Sequence, residues 1–572
     1  MDGKRANRRI RLLVVLFGLI FITLFVFAFR LQVLDGSRYA GLAHNQQQET
    51  QTIPAGRGTV FDRTGVELAI GEQTATIYAD PQEIREPTAV AVAAHKLLGV
   101  DANALYPFLL DKKRQFVYVE RFADPLKAAA FLKRGFAGVH SYPEERRSYP
   151  QLAIGAQLIG YAGVDNKGLD GLELQYDRKL TGHVGKQTII RDPSGRAIDV
   201  VSSSPARQGS DVFTSIDHTI QAQAEQVLRT TVSQWGARDA TAIVLDPSTG
   251  EVLAMAQTPG YDANRTSDIS QSLLRNRAVT DTYEPGSTFK LVTITAALSE
   301  KLVTPKTKFT LPYKLRYDTC VQCTVHDAES RPTETLSVAQ ILSHSSNVGA
   351  VTLAGKLGRA RLASWIEKFG FGSATGIDFP GESPGFVLPL DQWSETTIGN
   401  VPIGQGISVT PIQMASVYAA VANGGVWIEP HLVTRVGGKT PQRWRHRRIM
   451  SPDVDEQVKK MLTGVVADVG ATGGAAAIAG YSVAGKTGTA QVPDGHGGYS
   501  TYNYEATFVG MVPASKPRLV VLVKVDEPRG SIFGGVVAAP AFALIAKFDL
   551  QYLEVAPDAL HAVAGTPLTA TR

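Results

Sequence analysis

YEPGSTFKLVTITAAL, residues 283–298, joins a glycine-led start, a pair of side chains that can react and an apolar, helix-compatible run. Gly286 precedes the serine, and the run from Leu291 onward is apolar and helix-compatible. Ser287 therefore stands at a helix N-terminus, with Lys290 one turn on and on the same face, so the spacing delivers an amine to a hydroxyl. A serine hydroxyl is a weak nucleophile until a base removes its proton. A lysine can be that base only where burial or another cation lowers its pKa. This is the only Ser-x-x-Lys in the 572 residues, although by itself any helix surface could carry one by chance.

Two further motifs follow in order. Ser345-Ser346-Asn347, in LSHSSNVGA, offers a hydroxyl and a side-chain amide after a helical segment. The Ser-x-Asn/Asp pattern is degenerate, since Ser215 to Asp217 and Ser451 to Asp453 also fit and are explained by turn or capping chemistry. Lys486-Thr487-Gly488-Thr489 is the only Lys-Ser/Thr-Gly, and it lies in a predicted strand. Glycine weakens a strand unless something must approach the backbone closely, and an extended substrate would do so. Each motif alone has an ordinary structural explanation; the three together, in order and in suitable contexts, mark Ser287, Lys290, Ser345, Asn347 and Lys486 as candidate catalytic residues. Thr487, Gly488 and Thr489 become candidate substrate contacts.

Outward from these motifs the chain alternates strands and helices. DVFTSI (211–216) reads as a strand, 218–235 as a helix, and TAIVLD (241–246) with EVLAMAQ (251–257) as a hairpin. Thr410 as N-cap, Pro411, the Thr-x-x-Gln capping box and Asn423-Gly424 bound a helix that should be buried. GYSVAGKTGTAQ (480–491), EATFVGMV (505–512) and RLVVLVKVDE (518–527) read as three consecutive strands before a helix from about residue 536. Upstream, residues 54–69 carry hairpin grammar around Asp-Arg-Thr-Gly, residues 88–98 read as a helix, and SSSPARQGS (202–210) marks a boundary. The expected fold class is α/β (α+β), an antiparallel sheet flanked by helices, preceded by a mixed α/β region. The expected divisions are 1–11, 12–34, 35–205, 206–550 and a disordered tail at 551–572.

The N-terminus sets the compartment. Residues 12–29, LLVVLFGLIFITLFVFAF, carry no charge and as a helix would span about 27 Å, close to the hydrocarbon thickness of a bilayer. Arg30 can snorkel, extending the span to Leu34. Lys4, Arg5, Arg8, Arg9 and Arg11 precede the run against Asp2 alone, which predicts a cytoplasmic N-terminus and a single-pass anchor in the cytoplasmic membrane with an extracytoplasmic body. A cleaved signal is disfavoured by the length of the run and by the lack of an Ala-x-Ala site. The net charge of +5 is small for this length and gives no reason to expect nucleic acid. Only Cys320 and Cys323 occur, too few for a disulfide framework. One local disulfide is the leading reading and free thiols the next. A metal site would need two more ligands, and His326 and His344 show no ligand spacing.

The ordered Ser-x-x-Lys, Ser-x-Asn and Lys-Thr-Gly set is that of penicillin-binding proteins and class A β-lactamases. GRGTVFDRTGVELA, GLDGLELQYDRKLTG, YEPGSTFK, SSNVG, IGQGISVTPIQMASVYAAVANGG, GKTGTAQ, FVGMVPASKPRLVVLVKVDEPRG and GGVVAAPAF extend the likeness along nearly the whole chain, which resembles class B penicillin-binding proteins. Asn347, Thr487 and the GTAQ continuation are more similar to the division-specific branch than to the elongation branch. The resemblance implies a membrane anchor, an elongated non-catalytic pedestal and a serine D,D-transpeptidase domain that cross-links peptidoglycan stem peptides and is a target of β-lactams.

On that resemblance, Ser287 attacks the penultimate D-Ala carbonyl while Lys290 takes its proton. Lys486 biases Lys290 toward neutrality by like-charge repulsion and, with Thr487, holds the terminal carboxylate. Ser345 relays a proton to the leaving amine, Asn347 orients the substrate amide, and the backbone N–H groups of Ser287 and Thr489 form the oxyanion hole. No metal or cofactor is required. The Glu-x-x-Leu-Asn string of class A β-lactamases is not found, and the roughly 170 residues between anchor and linker match pedestal motifs, so glycan polymerisation is expected from a SEDS glycosyltransferase (FtsW-like) among other divisome membrane proteins. An elongation-type transpeptidase, a D,D-carboxypeptidase using water as acceptor and a non-catalytic scaffold are the alternatives.

Overall fold

The computed structural model describes residues 3–38, 48–53, 55–191, 197–267, 269–316, 324–440, 444–496 and 498–559. Cys320 and Cys323, with the expected disulfide, lie outside the described residues, as does the tail from 560. Packing divides the chain into one unit of residues 1–56 and 182–209 and a second of 57–181 and 210–572.

In the first unit, the helix Gly3–Phe29 continues as a π-helical turn, Arg30–Leu34. Within Asn7–Leu34 an 18-residue window has a mean hydropathy of 3.1, and none of that window is buried among the described residues. The helix is long and apolar enough to cross a bilayer, which suggests a membrane anchor. Its one interior hydroxyl, Thr23 Oγ1, donates to Leu19 O at 2.8 Å and needs no water. The unit also holds a three-stranded antiparallel sheet in which Gly185–Arg191 lies between Gln48–Ile53 and Ala197–Ser204.

The second unit has two main sheets. The first comprises β1 (Val60–Phe61), β2 (Glu67–Ala79), β3 (Val117–Ala123), β4 (Val139–Ser148), β5 (Val212–Thr214) and the strand Val433–Val436. The expected hairpin is β1 with β2, turned by Asp62, whose Oδ1 accepts from Thr64 N at 2.7 Å and Val66 N at 2.8 Å. Ile77, Ala79, Val117 and Val119 bury one face of this sheet under helices α1 (Pro87–Leu98), α2 (Ala102–Leu110) and α3 (Pro125–Leu132). Because β5 pairs parallel with β1 and antiparallel with Val433–Val436, one sheet draws strands from both sides of the sequence boundary expected at 205, and the packing division nearest to it falls between Gly209 and Ser210.

Beneath that sheet lies a buried ion cluster built from the GRGTVFDRTG and GLDGLELQYDRKLTG segments. Arg57 Nε donates to Glu173 Oε2 at 2.7 Å, its Nη1 to Asp177 Oδ1 at 2.8 Å, and Arg147 Nε to Glu173 Oε1 at 2.6 Å. The side chains of Arg57 and Glu173 are fully buried.

The second sheet has five antiparallel strands in the order β7-β6-β10-β9-β8: β6 (Asp239–Leu245), β7 (Val252–Thr258), β8 (Ala484–Pro493), β9 (Tyr499–Val512) and β10 (Leu519–Asp526). Val521, Val523 and Val525 pack on one side with α4 (His218–Trp235) and α10 (Gly534–Tyr552), while Val520 and Leu522 face the other core. Both faces are covered, which is why RLVVLVKVDE reads as a continuous apolar run rather than an alternating one. On the second face sit α5 (Lys290–Ser299), whose residues 290–298 are all buried, α8 (Pro411–Ala422) with its capping box, and α9 (Pro452–Ala467). Helices α6 (Val338–Ser343) and α7 (Asn347–Leu357) pack beside α5.

Although α10 is long enough to cross a bilayer, Val537, Phe542 and Ile545 bury it against the sheet, so it is a core helix. It begins at Gly534 rather than 536 and runs to Tyr552; Asp558 Oδ1 then accepts from Ser482 N at 2.7 Å. Residues 551–559 are thus bound to the domain, contrary to the disordered tail expected from 551.

Replacing Glu173 by alanine leaves the guanidinium groups of Arg57 and Arg147 buried without their shared carboxylate. The variant should lose about 3–5 kcal/mol of unfolding free energy in denaturant titration, the usual cost of stranding a buried charge.

Candidate active site

Ser287 does not lie in the α-helix. It sits in a 3-10 turn, Gly286–Phe289, that feeds α5 at Lys290. A 3-10 turn has three residues per revolution, so positions i and i+3 eclipse. Lys290 Nζ is accordingly 3.0 Å from Ser287 Oγ. The turn is held from outside: Tyr418 Oη of α8 donates to Thr288 O at 2.9 Å, and Gly286 N donates to Gly404 O at 3.1 Å. Gly286 has φ +53°, and a Cβ on Gly404 would come within 2.1 Å of Gly286 O, so the two backbones meet only because Gly404 lacks a side chain.

Lys290 is fully buried. Besides Ser287, its amine reaches Ser345 O at 2.5 Å, Asn347 Oδ1 at 2.6 Å and Ser345 Oγ at 3.2 Å. A backbone carbonyl and an amide oxygen are acceptors only, so both take N–H bonds from the amine in either protonation state. A neutral Lys290 that spends its two hydrogens there keeps one lone pair free for Ser287 Oγ. Burial pulls the Lys290 pKa down to about 7, against a pull upward from the charge of Asp327.

Lys486, on β8, is equally buried and donates to Ser345 Oγ at 3.0 Å and to Thr487 Oγ1 at 3.0 Å. Its pKa also falls well below the ordinary lysine value, first through burial and second through the charge on Lys290. The expected repulsion is present with the reverse assignment: burial lowers Lys290, and Lys290 in turn depresses Lys486.

Ser345 joins the two amines. It has φ +58°, a left-handed conformation that costs a non-glycine residue energy and persists only where its surroundings enforce it. Thr487 Oγ1 lies 2.9 Å from Thr472 Oγ1, which carries the hydroxyl series outward from Lys486. Gly488 differs from expectation, because its missing side chain faces inward: a Cβ there would lie 2.9 Å from Thr288 Cγ2 and 3.1 Å from Pro285 O. The glycine lets β8 close onto the nucleophile turn. The other side of β8 is the unpaired edge of the five-stranded sheet, and its outermost motif residue, Thr489, accepts from Gly534 N through Oγ1 at 3.2 Å. The Ser287 N–H is in the first turn of its segment, where backbone donors have no intrahelical acceptor.

All eight residues singled out in the sequence therefore lie in the nucleophile turn, the 345–347 loop or β8. Sequence reading missed Tyr418, Thr472 and the segment His326-Asp327. His326 O accepts from Asn347 Nδ2 at 2.9 Å. Gly404 could have been found from IGQG, a glycine pair next to no predicted turn; Asp327 is 18 positions from Ser345 and gave no signal. Among the described residues, Asp62, Asp217 and His218 are the one group spaced for a metal ion, within 4.8 Å. Their oxygens already serve a turn and a helix cap: Asp62 accepts from Thr64 and Val66, and Asp217 from Thr219 N at 3.0 Å.

Residues 240–547 match the penicillin binding protein transpeptidase domain, and residues 52–214 match the penicillin-binding protein dimerisation domain. The chain is 32% identical to the probable peptidoglycan D,D-transpeptidase PbpC of Pseudomonas aeruginosa over 98% of each chain. It is also 32% identical to the peptidoglycan D,D-transpeptidase FtsI of Escherichia coli, over 93% of this chain and 89% of the relative. Among solved structures, penicillin-binding protein 3 of Mycobacterium tuberculosis complexed with aztreonam superposes with a TM-score of 0.70 at 29% identity, covering 89% of this chain and 98% of that one. A serine in a 3-10 turn facing the buried lysine that opens the next helix, a second buried lysine on the edge strand of the sheet, and matches along nearly the full length agree: the chain belongs to the penicillin-binding protein transpeptidase family.

Proposed function

We propose that the protein is a peptidoglycan D,D-transpeptidase in which Ser287 is acylated by the penultimate D-Ala of a stem peptide. The observation that carries this reading is the allocation of hydrogen bonds at Lys290: two acceptor-only oxygens take its N–H groups and leave the lone pair for Ser287 Oγ, 3.0 Å away. Lys290 removes the serine proton as Oγ attacks. The oxyanion is taken up by the N–H groups of Ser287 and Thr489. As the tetrahedral intermediate collapses, the proton returns to the departing D-Ala amine through Ser345 Oγ, which lies within hydrogen-bond range of both lysines. Lys486 and Thr487 hold the substrate carboxylate, and Asn347 and Gly488 line the strand-like bed in which the peptide lies. The amine of a neighbouring stem then attacks the acyl-enzyme by the same steps in reverse. A β-lactam presents its own amide and carboxylate to the same groups and is trapped as the acyl-enzyme.

We further infer a septal role with a cytoplasmic N-terminus and a single membrane pass. Asn347 and Thr487 resemble the division branch, and the basic residues before the anchor favour that orientation. Glycan polymerisation would come from a SEDS glycosyltransferase engaged through the anchor and dimerisation region.

Fluorescent penicillin should label the wild-type protein covalently and leave Ser287→Ala unlabelled; an undiminished adduct on the variant would refute the assignment. The acylation rate should climb as pH rises through about 7 and then level off, because the neutral amine is the base and Lys290 sits near that value. An amine at the ordinary lysine pKa would be neutral in only about one molecule in a few thousand at pH 7. In dividing cells a fluorescent fusion should concentrate at the septum, whereas signal along the lateral wall would overturn the division role.

A further inference from the structure

We propose that Asp327, braced by Arg331, is a positioning residue of this site: it clamps the Ser345–Asn347 turn against the lysine pair and supplies a carboxylate whose charge acts on Lys290. The proposal rests on the reading of Lys290 as the base.

Asp327 is buried, with 6% of its surface exposed, at the end of the strand Thr324–His326. Its oxygens accept from Ser346 Oγ at 3.1 Å and from Val348 N at 3.1 Å, so the carboxylate holds the residues on either side of Asn347. Ser346 caps α7, its Oγ accepting from Gly349 N at 3.0 Å. A hydroxyl has one hydrogen; with its lone pair committed to Gly349, that hydrogen goes to Asp327. The carboxylate also lies at the N-terminus of α7, where the helix dipole favours negative charge.

The preceding residue completes the clamp. His326 O accepts from Asn347 Nδ2, which settles the orientation of the amide and turns Oδ1 toward Lys290. His326 and Asp327 together thus decide which atom of Asn347 meets the amine. They also hold the turn that keeps Ser345 in its left-handed conformation.

Arg331 braces the carboxylate from behind. Its Nε is 2.9 Å and its Nη2 2.5 Å from Asp327 Oδ2, while Nη1 donates to Leu311 O at 3.1 Å and Glu334 lies 3.1 Å from Nε. Asp327 is therefore only partly neutralised, and the remainder of its field reaches Lys290 and opposes burial there. The groups facing Lys290 are Ser287 from its own turn, Ser345 and Asn347 from the loop, Lys486 from β8, and Asp327 with Arg331 and Glu334 behind it; the His326 ring meets its own neighbour, Nδ1 lying 2.8 Å from Asp327 O. Asp327 thus opposes the loss of the Lys290 proton that burial promotes, while Lys290 in turn pushes the Lys486 proton off.

Acylation of the full-length protein in detergent by fluorescent penicillin, measured from pH 5 to 9, tests this. Asp327→Asn keeps an acceptor but removes the charge, and its acid limb should move to lower pH by about half a unit or more. Arg331→Gln leaves the carboxylate less neutralised and should move the limb to higher pH. Asp327→Glu should restore the limb toward the wild-type position even where the plateau rate is reduced. A purely structural role would lower thermal stability or plateau rate without moving the limb in opposite directions. An unmoved limb in Asp327→Asn overturns the proposal; if that variant does not fold, Arg331→Gln decides, an unmoved limb again overturning it. Failure of the underlying reading is separate, because then the wild type would show no adduct at Ser287 or no acid limb at all.

Discussion

Two buried amines sharing one hydroxyl are the constraint on which this structure depends. Lys290 and Lys486 are both fully buried, and both reach Ser345 Oγ. Two unit charges that share a contact atom are no more than about 6 Å apart, where they repel by about 3 kcal/mol at an effective dielectric near 20. Desolvation of each ammonium adds to that cost. Keeping both charged is therefore the expensive arrangement, and the proton shared among Lys290, Ser345 and Lys486 is loosely held. A loosely held proton in a dry site is what a base that must also become an acid requires. Because the two titrations are linked, the acid limb of any rate profile belongs to the pair more than to either lysine.

The rest of the fold keeps these groups at hydrogen-bond distance. The 3-10 turn eclipses Ser287 and Lys290, but such a turn has poor hydrogen-bond geometry and does not persist unaided. It is fixed on three sides: by Tyr418 Oη on Thr288 O, by the Gly404 backbone on Gly286, and by β8 closing over Gly488. Just before the turn, the Tyr283 ring lies 5.0 Å from Lys524 Nζ, a cation inside the sheet that also pairs with Glu505 and Asp526. The nucleophile is thereby tied to the middle of the five-stranded sheet as well as to its edge.

What the sequence disclosed and what it hid follow from the range of the forces involved. The α8 boundaries were legible because Thr410, Pro411 and Gln413 act within one helical turn, and the structure has the same cap. The three late strands were legible because burial on both faces gives short apolar runs, bounded by turn residues and too brief for a buried helix. The eight site residues were legible because they fall in short motifs. Asp327 was not, since its partners Ser346 and Val348 are about twenty positions away and no local pattern announces a long-range clamp. Lys524 was hidden likewise: in RLVVLVKVDE it reads as a solvated residue, and only the pairing of β9 with β10 brings Glu505 within reach. The inward-facing Gly488 could not be inferred either, because a strand glycine does not say which of its sides is crowded. Residues 551–559 read as a tail because they hold no apolar run, while their hold on the domain is the Asp558 carboxylate on Ser482.

The open edge of β8 completes the logic of the site. An unpaired strand edge is a liability that folded proteins cover, shorten or charge. Ala484 through Gly488 are buried and Thr489 is half-buried, and an extended ligand added to an unpaired strand edge pairs through backbone N–H and C=O groups. Main-chain recognition suits an extended peptide, fixes it in a register set by the pleat and is indifferent to much of its side-chain identity. Register then determines chemistry: a shift by one residue would turn the scissile carbonyl away from Ser287. On the proposed function, the Thr487 hydroxyl and the Lys486 amine would supply the anchor for a terminal carboxylate that prevents such a slip. On that reading proton transfer and peptide registration meet at the same lysine, and a substitution at Lys486 would disturb both at once.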